Sequence, residues 1–212
     1  MKELYIVLIR AHTGLGGVGR KITGFPYTHA AVSLDASLTD FLAFSRKYHY
    51  FPYDAGFMHE YRDFYAFGKY QDFGAKVFRL PVSEKRYARL LSYFRRCEKD
   101  KDMRFNLFSM LTMQILGGLR IPKAEDCMSF SAKVACMSGS VKLKKPCWRY
   151  SLKEIDALLS DYCIFEGNIE RKSSQQYEKY MTPFCIIKYL HDAAALICTL
   201  TGRLLRKHPD KP

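Results

Sequence analysis

A chain of 212 residues, 48% hydrophobic and 15% aromatic, carries enough apolar surface to close a core, which excludes a disordered polymer. Its formal charge of +13 invites anionic partners, yet the basic residues are spread from Arg20-Lys21 through Arg95-Arg96 to the segment between Arg203 and Lys211. That dispersal argues for a solvated basic surface and against a nucleic-acid groove, since no recognition motif gathers the charge.

In chain order, Leu4-Tyr5-Ile6-Val7-Leu8-Ile9 is a continuous apolar run and reads as a buried strand, too short for the core of a signal peptide. The glycine-rich stretch Gly14-Leu15-Gly16-Gly17-Val18-Gly19 formally satisfies the dinucleotide-binding pattern, with Asp35 near the position of a ribose-binding acid. A dinucleotide fold needs a crossover helix before the next strand, however, and Gly24 and Pro26 interrupt the only segment available. The stretch is read instead as a loop over a site, and no cofactor is expected.

Residues 27 to 34, Tyr-Thr-His-Ala-Ala-Val-Ser-Leu, alternate at period two and predict a half-buried strand bearing His29. A turn near Ser37 leads to a returning strand over residues 40 to 45, and a turn centred there sets Ser45 opposite His29. Residues 46 to 72, crowded with aromatics, are read as an irregular connection burying rings against the sheet. Residues 75 to 80 form a further strand. Ser83 then opens a helix with Tyr87, Leu90, Leu91, Phe94 and Cys97 on one face, and a second helix runs from Asn106 to Gly117.

Asp126 is placed to cap a third helix, which carries Phe130, Val134 and Met137 and ends at Gly139. Cys127 falls in its first turn, where free amides and the helix dipole favour a thiolate. A short helix follows over Leu152 to Leu159, then a strand and turn from Tyr162 to Gly167. From Pro183 an amphipathic helix leads into a basic tail. Lys188, His191 and Asp192 lie inside it, so it is expected to lie on a membrane surface or a partner and not to span a bilayer.

The seven cysteines are odd in number and scattered, with no Cys-x-x-Cys pair. This points away from a disulfide framework and a zinc site and toward a reducing, cytoplasmic compartment. Strands gathered ahead of helices predict an α+β fold, an antiparallel sheet packed against helices. The division expected is a domain over residues 1–182 and a C-terminal helix and tail over 183–212.

Tyr27-Thr28-His29-Ala30, the hairpin to Phe44-Ser45-Arg46-Lys47, Phe105-Asn106 entering a helix, Cys127-x-x-Phe130 and Ile164-Phe165-Glu166-Gly167 together resemble the circularly permuted papain-like proteins of the NlpC superfamily, especially the bacterial YiiX-like group. The resemblance covers about residues 3 to 170 and implies a thiol hydrolase or acyltransferase acting on amide or ester bonds of cell-wall peptides or lipids. By it Cys127 is the nucleophile, His29 the base, and the third polar residue is Ser45 or Asp40. Two other classes stand beside it: a catalytically inactive papain-like binding module, and a basic protein of nucleic-acid or membrane surfaces.

Overall fold

The computed structural model describes residues 1–12, 17, 20, 21 and 23–206. Most of the glycine-rich segment and the basic tail beyond Arg206 lie outside the described residues.

Six strands form one sheet: β1 (Lys2–Arg10), β2 (His29–Ser33), β3 (Asp40–Tyr48), β4 (Phe51–Tyr61), β5 (Asp72–Val82) and β8 (Cys163–Glu170), in the order β4-β3-β2-β1-β5-β8. Every neighbouring pair is antiparallel. The antiparallel pairing of β1 with β2 leaves no place for a dinucleotide crossover, which needs parallel strands. A separate ribbon of two short parallel strands, β6 (Arg104–Phe105) and β7 (Ala124–Glu125), joins the segments before and after the second long helix. The helices are α1 (Arg62–Tyr65), α2 (Glu84–Lys99), α3 (Leu107–Leu116), α4 (Cys127–Ser138), α5 (Leu152–Leu159), α6 (Tyr177–Tyr180) and α7 (Ile186–Leu205). The architecture is α+β.

β1 explains why its sequence reads as an unbroken apolar run. Leu4, Ile6 and Leu8 enter one core cluster, shared with Leu90 and Phe94 of α2 and Phe130 and Val134 of α4. Tyr5, Val7 and Ile9 enter a second, shared with Phe41, Tyr65 and Phe73. A strand covered on both sides has no polar face to alternate with. Phe130 sits at the centre of the first cluster, its ring centroid 5.5 Å from Phe44, 5.8 Å from Phe57 and 5.9 Å from Phe94. These rings pin α4 to the sheet and so fix where its first residue, Cys127, can lie.

One expectation is corrected. Residues 51 to 61 are not an irregular connection; they form β4, paired with β3 from Asp40↔Tyr61 to Ser45↔Gly56. Phe51, Tyr53, Ala55, Phe57, His59 and Tyr61 alternate with Pro52, Asp54, Gly56, Met58 and Glu60, so the period of two was present but was masked by aromatic crowding.

α7 docks on the domain. Lys188 bonds Asp54 of β4 at 2.8 Å and Asp192 at 2.7 Å, and Tyr53 meets Tyr189 with ring centroids 5.2 Å apart. Leu196 and Leu200 are buried against Ile121 and Ala124 in a small third cluster. Arg203 donates to the carbonyls of Lys123 and Asp102, both at 2.8 Å. Among the described residues, no helix is long and apolar enough to cross a membrane.

Candidate active site

β2 opens on His29, which pairs in the ladder with Ile9 and whose side chain is 14% exposed. Its Nε2 lies 2.7 Å from Oε2 of Glu60, a β4 residue only 3% exposed. The hydroxyl of Tyr65, at the end of α1, donates to the same carboxylate oxygen at 2.9 Å, and Ser45 of β3 lies near enough to help hold the carboxyl ionised. Two neighbouring strands and the short helix after them thus hold a single carboxylate against the ring.

The third element is α4. Asp126 caps it, accepting the Ser129 amide at 2.7 Å, while the Ser129 hydroxyl accepts the Asp126 amide at 3.0 Å. This reciprocal box sets Cys127 as the first helical residue, as the sequence predicts. The Cys127 thiol, 6% exposed, lies close enough to the His29 ring to help hold it charged. The amides of Cys127 and Met128 precede the first intrahelical bond, from the Phe130 amide to the Asp126 carbonyl.

Charge follows from this geometry. Burial by itself would strip the proton from His29, but the Glu60 carboxylate, and after it the Cys127 sulfur, outweigh that and push the ring up to about 10. Burial would likewise raise the Glu60 carboxyl, yet His29, Tyr65 and Ser45 hold it below the ordinary carboxylate value. Both directions favour imidazolium against carboxylate. Tyr65 is pushed well up, first by burial and then by Glu60, and so stays a neutral donor. Asp126, also buried, has its carboxyl raised by desolvation against the opposing Ser129 amide.

The structure brings the start of the His29 strand near the start of the Cys127 helix, and it sets Glu60, not Ser45 or Asp40, against the ring. Residue 45 stands where the register sets it, since the observed pair Val32↔Leu42, continued along the ladder, places Ser45 opposite His29. It stands near Glu60, however, and it is Glu60 that touches the ring. Asp40 is elsewhere, paired with His59 at 2.8 Å. Glu60 was missed because its strand was missed; the alternating aromatics of residues 51 to 61 are the signal that finds both.

A cavity of about 420 Å³ lies between β4, the loop after α2 and α7, and it borders neither Cys127 nor His29. The site is identified by its hydrogen bonding and not by its cavity. Among the described residues, no group of three His, Cys, Asp or Glu side chains is placed to hold a metal ion. What the arrangement can do is nucleophilic chemistry: a thiol, a base near it, and a carboxylate that fixes the base. No family model matches the chain, and no curated protein or solved structure is significantly similar to it.

Proposed function

We propose that the protein is a thiol-dependent hydrolase or acyltransferase acting on an amide or ester bond of a peptide or lipid-like substrate. Cys127 is the nucleophile, His29 the base, and Glu60 the residue that orients and charges it. The permuted papain-like, NlpC-type arrangement fits this reading: the histidine strand comes first, the cysteine helix later, and the two meet across an antiparallel sheet. The observation that carries it is the 2.7 Å contact of His29 with buried Glu60, beside a thiol at a helix start.

The chemistry follows from those positions. With the thiol proton on His29, the sulfur attacks the carbonyl carbon, a C–S bond forms, and the carbonyl electron pair moves onto oxygen. The oxyanion faces the free amides at the start of α4, donors that cost no rearrangement. Collapse breaks the C–N or C–O bond, and the leaving group takes the proton from His29. Water, deprotonated by the same ring, then attacks the thioester and releases the thiolate; an acyl acceptor in place of water gives transfer.

The test is thiol labelling. Cys136, Cys163, Cys185 and Cys198 are exposed and serve as internal references. With the charged His29 ring near it, Cys127 should be modified first by iodoacetamide at about pH 6, mapped by mass spectrometry, despite its burial. His29→Ala should abolish that preference. If an exposed cysteine labels first, or His29→Ala leaves the Cys127 rate unchanged, the thiol-enzyme reading fails and a binding module without chemistry takes its place.

A further inference from the structure

Most exposed large apolar side chains among the described residues fall on two helices and the turn before one of them. On α7 the outward positions carry Ile187, Leu190, Ile197 and Leu205, at intervals close to one or two helical turns, with Ile187 77% exposed. On α3 they carry Leu111, Ile115 and Leu116, with Ile115 84% exposed. The two helices are neighbours, because Leu196 and Leu200 of α7 share one cluster with Leu107 and Phe108 of α3. The exposed side chains of the two helices therefore flank one shared cluster. A monomer rarely leaves that much aliphatic surface uncovered without a use for it.

Charge says what covers it. α3 contains no ionisable residue at all. α7 contains one acid, Asp192, which is turned inward and tied to Lys188, itself bonded to Asp54. Each helix ends on an exposed arginine, Arg120 just past α3 and Arg206 at the end of α7, in a chain of net charge +13. Protruding aliphatics without an acid among them, flanked by guanidinium groups, match an anionic lipid surface, where the side chains enter the acyl boundary and the arginines meet phosphates. Neither helix is long and apolar enough to cross, so the contact lies in the plane of the interface.

We propose that α3 and α7 form an interfacial face by which this protein docks on anionic phospholipid bilayers. The proposal does not depend on the reactivity of Cys127, and its experiment reads binding alone.

Full-length protein is floated with vesicles of phosphatidylcholine alone and with about 30% phosphatidylserine, at about 0.1 M and 0.5 M salt. Expected are at least about tenfold stronger binding to the anionic vesicles and a marked loss at the higher salt. Ile187→Asp with Leu190→Asp, and separately Leu111→Asp with Ile115→Asp, should each weaken binding by about tenfold or more. All four sites are exposed, and circular dichroism checks folding. The wild-type comparison across lipid and salt needs no variant, so it decides even if one fails to fold. Failure of wild-type protein to float with anionic vesicles overturns the proposal, as does equal binding to neutral ones. So does sedimentation showing that these residues bury themselves in a second copy of the chain, with no lipid binding.

Discussion

Glu60→Gln removes a charge while keeping the shape of the side chain, and so separates what the carboxylate does electrically from what it does by packing. In the wild type the His29 ring is lifted from an ordinary 6.5 to about 10 against the opposing effect of burial. At 1.36 kcal/mol for each tenfold, a lift of that size corresponds to about 5 kcal/mol in favour of the charged ring, with Glu60 as its largest source. With glutamine in place, desolvation meets only the Cys127 sulfur, and the ring becomes neutral at pH 7. Without a charged ring beside it to stabilise the thiolate, Cys127 should be alkylated at pH 7 about tenfold more slowly. The assay is iodoacetamide labelling under pseudo-first-order conditions, followed at Cys127 by peptide mass spectrometry between pH 5.5 and 9. An unchanged rate in a folded Glu60→Gln protein would refute the electrostatic argument and leave Glu60 a packing residue.

Other outcomes follow from the same geometry. Because His29 is raised and Glu60 lowered, their contribution to stability is fully present from the ordinary carboxylate range up to about pH 6.5 and is lost as pH climbs through about 10; thermal melts of the wild type should fall off near pH 10, and those of Glu60→Gln should lack that step. Phe130→Ala empties the centre of the ring cluster that seats α4, at a cost of about 3–5 kcal/mol. In a chain of this size that is about 6–20 °C in melting temperature, measurable by differential scanning calorimetry. Truncation after Tyr180 removes Leu196, Leu200 and the Lys188 to Asp54 bond, yet leaves both main clusters intact. The shortened protein should still unfold cooperatively, at a lower temperature; loss of all cooperative structure would make α7 part of the core.

Much of this was legible in the residues because the signals were local. The apolar run of β1, the Ser83, Asn106 and Asp126 caps, and the glycines at 117 and 139 each act within a turn or two, and the elements they mark appear where expected. Cys127 could be placed at a helix start from its immediate neighbours alone. Glu60 could not be placed in this way. Its importance depends on β4 pairing with β3, which brings it back toward a histidine 31 residues away in sequence, and on Tyr65 reaching round from the next helix. Pairing between strands is a long-range property, and one misread strand concealed the group that charges the site. Ser45 shows the reverse: the turn fixed its register correctly, but register gives only the neighbour and not the bond.

The two ends of the sheet differ in a way that bears on handling the protein. β4 lies against α7, whereas β8 has a single neighbour, β5, and shows Ile164 and Phe165 to solvent. A terminal strand of this kind is a template on which another chain can add a strand, and only the charges of Glu166 and Glu170 stand along it to discourage the approach. Removing α7 would open the opposite end too. A molecule with one adhesive edge can stop at pairs; with two, it can string into open chains. Shortened forms of this protein should therefore be prepared dilute and at pH values that keep those glutamates ionised.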